Sequence, residues 1–361
     1  MLRIFGSPHR YVQGPGAIGQ LNELARHYGR HPFVVADGTA LDLLRAKLID
    51  ALGDAGSASH FTRFGGECTA AEIDRLTAEA REQAAAVVIA VGGGKTIDAA
   101  KGVCLALGLP LIVVPTIASN DSPTSRLVVV YTEQHALLEV RRMATNPDVV
   151  LVDTAIIVAA PARFFVSGIG DALSKKFEAA QCFAAGGTNF YGAHPPFVAL
   201  TLADACYESI RRHAEGALEA LRRGVPDEAF EQTVEATILL SGLAFENGGL
   251  SIAHSLTRGL STVPALAAAL HGEQVAFGLL VQLILEQRSP EFIGDLVAFH
   301  RRVGLPVSLH DLGLRGDAAA AAARIAQVTW ERAPYVRNLT TPVDESRLRD
   351  AILATGSLAK P

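Results

Sequence analysis

The chain has 361 residues, of which 49% are hydrophobic and 19% charged, and its formal net charge is −5. This composition indicates about two well-packed domains and excludes a disordered chain. Lysines and arginines are scattered rather than clustered, so we expect no nucleic-acid partner and no binding to an anionic membrane.

The cysteines and the apolar runs favour a cytoplasmic protein. Four cysteines lie far apart, without the spacing of a metal knuckle, and are expected to be buried, reduced thiols. Residues 1–16 contain charges and turn residues, so they do not predict a signal peptide. The longest apolar run, 84–91, is too short to span a bilayer.

Strands and helices are predicted to alternate up to about residue 160. Apolar and β-branched runs predict the strands, and amphipathic periodicity predicts the helices between them. This alternation favours a parallel sheet with right-handed crossovers. The predicted strands are 33–36, 58–64, 86–91, 111–114, 127–131, 137–140 and 149–152, and the predicted helices are 40–53 and 69–83.

Beyond Pro161, long segments rich in Ala, Leu, Glu and Arg replace the β-branched clusters. Helical periodicity at 198–213, 226–245 and 274–287 predicts an all-helical second domain. We therefore predict an α/β domain with a parallel sheet at 1–160 and an all-α domain at 161–361.

A glycine loop follows the predicted 86–91 strand and opens a helix. Its residues Gly92, Gly93 and Gly94 let the backbone approach a ligand, and the helix start offers unpaired N–H groups. A Walker A loop would need glycine at Ile89, and the G-x-G-x-x-G pattern would need it at Ile97. The loop predicts a phosphate cradle; the alternative is a tight turn without a ligand.

Two further segments follow predicted strands and are expected at the same edge of the sheet. They are Asp37 with Gly38, and the hydroxyl-rich stretch 115–123. Ligands bind outside the carboxyl ends of parallel strands, so this convergence favours a nucleotide site.

Three residues of the helical domain are candidate metal ligands. Asp171 precedes a predicted helix, and His254 and His271 lie in apolar, glycine-rich surroundings. Taken singly, Asp171 could cap a helix and each histidine could be a hydrogen-bonded core residue. Two imidazoles and one carboxylate leave an open position on zinc, which is the catalytic pattern.

Six motifs in this order and spacing resemble the glycerol dehydrogenase family, within the superfamily of iron-containing alcohol dehydrogenases and dehydroquinate synthases. The motifs, spread between about Tyr11 and Leu312, are GGGKTIDAAK, PTIASNDSPTS, GIGDAL, LAFENGGL, AHSLTRGLS and HGEQVAFG. The resemblance implies an NAD-binding α/β domain, a helical domain, an active site in the cleft between them, and a homo-oligomer.

The same resemblance implies a role for each matching residue. Asp37 would bind the adenosine end of NAD; Gly92, Gly93, Gly94, Lys95 and Thr96 would cradle the pyrophosphate, with Asp98 close by; Thr116, Ser119, Ser125, Leu127 and Tyr131 would line the nicotinamide half; Asp171, His254 and His271 would bind zinc; and Asp121 and Phe245 would contact the polyol.

The chain departs from the family pattern at three places. Iron-dependent members resemble Asp-x-x-x-His, in which the histidine is a fourth protein ligand, but here that position is Lys175. Its ammonium has no lone pair for a metal, and this favours zinc. Arg126 replaces a small residue, and the segment 335–342 lacks the expected glycines. Lys175 and Arg126 could face the site, or solvent or another subunit.

We predict a zinc- and NAD-dependent enzyme that oxidises a small polyol, most simply glycerol to dihydroxyacetone. Zinc would stabilise the alkoxide, and hydride would pass to the nicotinamide. One alternative is reduction of a small 2-oxo acid, its carboxylate meeting Lys175 or Arg126. A dehydroquinate-synthase-like lyase is another, although that group resembles Glu at the position of Asp171. A third is a non-catalytic nucleotide-binding protein.

Overall fold

The computed structural model describes residues 1–358 and divides the chain into two compact units. The α/β unit comprises Gly6–Ala160 and Ala220–Leu239, and the helical unit comprises Met1–Phe5, Pro161–Glu219 and Leu240–Pro361. The predicted two-domain division stays a prediction, and residues 359–361 at its end lie outside the described residues.

Six parallel strands form the sheet of the α/β unit, in the order β1-β8-β5-β4-β2-β3, and β6 and β7 form a separate antiparallel ribbon. The strands are β1 (Arg10–Gly14), β2 (Pro32–Ala36), β3 (His60–Arg63), β4 (Val87–Gly92), β5 (Leu111–Pro115), β6 (Leu127–Tyr131), β7 (Leu137–Arg142) and β8 (Val149–Asp153). The helices between and after them are α1 (Leu21–Arg26), α2 (Gly38–Leu52), α3 (Ala70–Glu82), α4 (Gly94–Leu107) and α5 (Thr154–Ile157).

The central strands are apolar throughout because both faces of the sheet are covered. Along β4, Val88 and Ala90 pack into the cluster that contains residues of α3 and α4, whereas Ile89 and Val91 pack into the cluster on the opposite face. All six residues of β4 are buried. A strand buried on both faces has a continuous apolar run rather than alternation, and this is why β2, β4 and β5 were predictable.

Two features of the sheet differ from the sequence prediction. The runs at 127–131 and 137–140 lie outside the parallel sheet, because the short connection at 132–136 allows a hairpin and is too short for a parallel crossover. β1 was not predicted; it is an edge strand, paired only with β8, and most of its residues are half-buried.

The described part of the helical unit contains helices and no strands, so the predicted combination of an α/β domain with a helical one is confirmed. Its main apolar cluster takes residues from α10, α12, α14 and α15. The helices after α5 are α6 (Ala162–Ala184), α7 (Phe197–Arg223), α8 (Glu228–Glu235), α9 (Ser241–Gly248), α10 (Ile252–Leu260), α11 (Pro264–Ala267), α12 (His271–Leu285), α13 (Pro290–Val303), α14 (Ala318–Arg332) and α15 (Glu345–Leu358).

Residues 220–239 return to the α/β unit after the chain has begun the helical unit. Glu231 of α8 accepts hydrogen bonds from Gln13 Nε2 at 2.7 Å and from the Thr154 hydroxyl at 2.6 Å. The α/β unit is therefore completed by a segment that comes much later in the sequence.

All four cysteines are buried free thiols, as predicted. Within residues 1–358, no single helix is both long and apolar enough to cross a membrane; one bent pair, Glu228–Gly248 with Ile252–Leu260, meets the criterion by length and composition. The cytoplasmic location and the homo-oligomer stay predictions.

Candidate active site

The glycine loop joins β4 to α4 at the carboxyl edge of the sheet. The strands β2, β4 and β5 are neighbours, so Asp37, Gly92 and Thr116 follow adjacent strand ends. The Thr116 N–H donates a hydrogen bond to the Gly92 carbonyl at 3.2 Å. The structure thus brings together the three segments expected to form a nucleotide site.

Glycine is required at the start of this loop by its backbone and its neighbours. Gly92 has a φ of +156°, and a Cβ there would lie 2.6 Å from Asp37 Oδ2 and 2.8 Å from Thr96 Oγ1. Gly93 is the N-cap of α4 and has no side chain to accept a hydrogen bond from the first turn of that helix. The first N–H groups of α4 therefore fit a phosphate.

Asp37 uses its two carboxylate oxygens differently. Oδ1 accepts a hydrogen bond from the Ala40 N–H at 2.9 Å and so caps α2. Oδ2 is the atom that a Cβ at Gly92 would meet. Asp37 is thus a helix cap with a second oxygen directed at the glycine loop.

Lys95 is half-exposed and has one acidic and one aromatic neighbour. Its Nζ is 2.7 Å from Glu67 Oε2 and 5.4 Å from the centre of the Tyr131 ring. Burial alone would raise the pKa of Glu67, but hydrogen bonds from Lys95 and His135 outweigh it and lower that pKa. Lys95 and Tyr131 therefore lie near each other, and their roles toward a cofactor stay predictions.

Asp98 belongs to a buried hydrogen-bond network that the sequence analysis did not recognise. Its Oδ1 accepts from Lys101 Nζ at 3.1 Å and from the Ser122 hydroxyl at 2.8 Å. Lys101 is fully buried, and its Nζ also donates to the Leu127 carbonyl at 2.9 Å and to Ser125 Oγ at 3.3 Å. The network ties α4 to the segment before β6; the (i, i+3) acid–base spacing in an apolar helix was its sequence signal.

The remaining predicted residues of the α/β unit lie in the segment between β5 and β6 and at the start of β6. Thr116, Ser119 and Asp121 are half-buried in the segment between β5 and β6, and Leu127 is buried at the start of β6. The Asp121 carbonyl accepts from the Thr124 hydroxyl at 3.2 Å. Phe245 belongs to the helical unit, in α9.

Asp171 lies within α6, so the prediction that it stands near a helix start was wrong. The helix begins at Ala162 and continues through Gly168 and Gly170, which the sequence analysis placed before a helix. A Cβ at Gly170 would lie 2.5 Å from the Gly272 carbonyl oxygen. Gly170 therefore serves the close packing of α6 on α12 and does not break the helix.

Asp171, His254 and His271 converge within the helical unit. His254 lies in the first turn of α10, and His271 is the first residue of α12. One potential ligand atom from each lies within 4.8 Å of the others, and Asp171 Oδ1 is 3.2 Å from His254 Nε2 and 4.0 Å from His271 Nε2. Their side chains are 0%, 11% and 45% exposed respectively, so the triad opens at His271.

Glu178 orients His254 and was missed by the sequence analysis. Its Oε2 lies 2.5 Å from His254 Nδ1, and its Oε1 accepts from the N–H groups of Ser251 and His254. Glu178 follows Asp171 by seven residues on α6, a spacing that places both on one helix face and could have revealed it. A carboxylate behind an imidazole fixes the ring and its tautomer.

Burial and the neighbouring charges together raise the pKa of His254 and lower the pKa values of Asp171 and His271. Burial alone would lower the pKa of His254, but attraction to Glu178 and hydrogen bonds to both carboxylates raise it to about 9. Burial alone would raise the pKa of Asp171, but Lys175 and the two imidazoles hold it well below its usual range. Desolvation, with the positive charges of His254 and Lys175, lowers the pKa of His271 although its side chain is partly exposed.

Lys175 is fully buried in this cluster, so the alternative that it faces solvent was wrong. Its Nζ lies 2.6 Å from Asp171 Oδ1 and 3.1 Å from His254 Nε2. The same atom is 5.5 Å from the centre of the Phe245 ring. Phe245, predicted to contact the polyol, thus borders the triad.

The residues do not fit a metal ion while Lys175 holds this position. Asp171 Oδ2 is buried, with no hydrogen-bond partner among the described residues, and alone it would suit a cation. The ammonium of Lys175, however, already contacts two of the three donor groups and has no lone pair to offer. The zinc ion stays a prediction that this geometry disfavours.

Comparisons with known proteins agree over nearly the whole chain. Residues 8–154 match the family model described as iron-containing alcohol dehydrogenase. The chain is 38% identical to a glycerol dehydrogenase of Citrobacter freundii over 100% of this chain and 99% of the relative. It is 36% identical to a glycolaldehyde reductase of Halobacterium salinarum, with the same coverages. A solved structure of a probable glycerol dehydrogenase from Sinorhizobium meliloti 1021 superposes with a TM-score of 0.92 at 38% identity, covering 99% of this chain and 98% of that one.

Proposed function

Since the chain belongs to the family of glycerol dehydrogenases and related iron-containing alcohol dehydrogenases, we propose that it oxidises glycerol or a related vicinal diol with NAD. The chain is an oxidoreductase by its family. The observation that carries the cofactor assignment is the glycine loop between β4 and α4, whose N-cap Gly93 makes no side-chain hydrogen bond to the helix, with Asp37 Oδ2 beside the loop.

The α/β unit supplies the residues that would hold NAD. The N–H groups of Gly94, Lys95 and Thr96 would bind the pyrophosphate, and Asp37 Oδ2 would accept from the ribose hydroxyls and repel a 2′-phosphate. Bound NAD accepts the hydride from the alcohol carbon. We assign the nicotinamide half to Thr116, Ser119, Ser125, Leu127 and Tyr131, among which Ser125 is held in place by Lys101.

Two residues are assigned to the substrate. Asp121 offers a half-buried carboxylate that would accept a hydrogen bond from a substrate hydroxyl. Phe245 offers an apolar wall beside the triad, and its ring is fixed by an edge-to-face contact with Phe190 at 5.1 Å. Asp121 favours a small polyol over an anionic substrate, because a substrate carboxylate near it would be repelled.

The structure gives little support to a 2-oxo acid as substrate. The charge of Lys175 is already paired with Asp171, and Arg126 donates to the Met143 carbonyl at 3.3 Å within the α/β unit. The dehydroquinate-synthase-like alternative is disfavoured by Asp171 in place of Glu. Zinc dependence is left out of the proposed reaction because Lys175 contacts two of the three donors.

The test is the rate of NADH formation and consumption across a panel of glycerol, diols, glycolaldehyde, dihydroxyacetone and 2-hydroxy acids. We expect the highest kcat/KM among the vicinal diols and hydroxycarbonyls. Asp121→Ala should lower kcat/KM for glycerol by about 10–150-fold, the equivalent of one hydrogen bond to a charged group. Asp50→Ala, which changes an exposed aspartate of α2, is the matched control and should leave the rate unchanged.

A higher kcat/KM on 2-hydroxy acids than on every diol would contradict the substrate assignment. Equal effects of Asp121→Ala and Asp50→Ala would contradict the role of Asp121.

A further inference from the structure

A lysine ammonium lies inside the triad of Asp171, His254 and His271. Lys175 follows Asp171 by four residues on α6, so both side chains project from one face of the helix. The side chains of Lys175 and Asp171 are both 0% exposed, and their charged atoms are 2.6 Å apart. Lysine is almost never fully buried unless it is paired, so the ion pair with Asp171 is what allows Lys175 to be buried in the helical unit.

The Nε2 atom of His254 has no lone pair left for a metal ion. Nδ1 of the ring faces Glu178 at 2.5 Å. When the ring is neutral with its proton on Nδ1, Nε2 accepts from Lys175 Nζ at 3.1 Å; when the ring is protonated, Nε2 donates to Asp171 Oδ1 at 3.2 Å. In both cases the group that would ligate a metal is already used.

The carboxylate at the centre of the cluster already has a cation without a metal. The Asp171 carboxylate is paired with the Lys175 ammonium at 2.6 Å, and Glu178 is engaged with the ring and the N–H of His254. A divalent cation would add two positive charges beside a buried ammonium, where like charges repel strongly because the local dielectric is low. Metal binding would require Lys175 to leave its carboxylate.

We propose that Lys175 replaces the divalent metal as the resident cation of this triad, so that the protein functions without a bound metal ion. The catalytic part rests on the proposed function. In that reaction the alcohol carbon gives a hydride to NAD, the hydroxyl proton leaves to water, and the alcohol becomes a carbonyl as NAD becomes NADH. Lys175, whose charge is paired with Asp171, contributes to that reaction by holding the Asp171 carboxylate and the His254 ring in place.

The first test measures metal content, which does not depend on activity. Wild type, Lys175→Ala and Lys176→Ala are incubated with zinc sulfate, desalted and analysed by mass spectrometry of the metals. We expect wild type to hold far less than one zinc per chain and Lys175→Ala to hold about one, because three ligands and an open position then remain. Lys176, partly exposed and paired with Asp204 at 3.3 Å, is the matched control and should give the wild-type result.

Two further measurements locate the zinc and test its relevance. The double variant Lys175→Ala/His271→Ala should lose the zinc that Lys175→Ala gains. Added zinc should raise the melting temperature of Lys175→Ala and leave that of wild type unchanged. EDTA should leave the wild-type rate of NADH turnover unchanged.

Wild type that retains about one metal ion per chain, or that loses its activity in EDTA and regains it with zinc, would overturn the proposal. So would a folded Lys175→Ala that holds no more zinc than wild type. If Lys175→Ala does not fold, Lys175→Met, which keeps the stem, takes its place in the zinc measurement. If wild type turns over no substrate of the panel, the proposed function fails, whereas the metal contents still decide the role of Lys175.

Discussion

Replacing Gly272 by alanine should lower the unfolding free energy of the protein substantially. A Cβ at Gly272 would lie 1.7 Å from the Ser167 carbonyl oxygen, and ordinary contact begins at 3.4 Å. The obstacle is the backbone of α6, which cannot rotate away as a side chain can. The helices α6 and α12 would therefore have to separate by about 1.7 Å at this point.

The expected cost follows from three contributions. Overpacking against backbone costs about 3 kcal/mol, at the upper end for core insertions, and the hydrogen bond from the Gly272 N–H to Ser167 Oγ at 3.1 Å adds about 1 kcal/mol when it is lost. Alanine regains about 1 kcal/mol through its helix propensity. The net loss of unfolding free energy should be about 3 kcal/mol.

Urea unfolding followed by circular dichroism measures this difference against a matched control. Gly294 of α13 is exposed, with nothing within 4 Å of a Cβ built on it. Gly294→Ala should therefore stabilise the protein by about 0.5–1 kcal/mol. A Gly272→Ala protein as stable as wild type, or two variants that shift in the same direction, would refute this reasoning about the α6–α12 contact.

Three other outcomes are expected. Asp37→Ser, which keeps a helix cap but removes the charge, should reduce the preference for NAD over NADP at least ~10-fold in kcat/KM; an unchanged preference would contradict the role of Asp37. Gly92→Ala should weaken NADH binding at least ~10-fold in a fluorescence titration, because its Cβ would meet Asp37 and Thr96; wild-type affinity would contradict it. Burial lowers the pKa of His300 to about 4 from 6.5, so the unfolded chain takes up this proton first as the pH falls. The contribution of neutral, buried His300 to the free energy of unfolding is complete above pH 6.5 and is lost as the pH falls from 6.5 to 4. His300→Gln should therefore reduce the fall in melting temperature over this pH range. An identical pH profile of wild type and variant would contradict this role of His300.

The sequence predicted the strands that are buried on both faces, and it did not predict the edge strand β1, which is only partly buried. β4 is apolar along its whole length because both faces are covered. β1 carries Tyr11 and Gln13 among half-buried residues at an edge, so neither a continuous run nor a clear alternation marks it. The break between strands and helices near residue 160 was visible because the composition changes there.

The residue types and the family resemblance grouped Asp171, His254 and His271 as one site, but their meeting in space could not be derived, because no spacing in the sequence joins α6 to α10 and α12. Glu178 and His254 are 76 residues apart and meet only through the packing of these helices. The (i, i+4) spacing placed Lys175 beside Asp171, but its burial could not be predicted, since an isolated lysine is expected at the surface.

The return of residues 220–239 to the α/β unit also determines when that unit can form during synthesis. A ribosome that has released residue 160 has made every strand of the sheet but not Glu231, the partner of Gln13 and Thr154. At about 5–20 residues per second, another ~4–16 s pass before residue 239 is made. Through that interval the nascent sheet lacks its last segment, so the α/β unit cannot complete its folding before α6 and α7 have been synthesised.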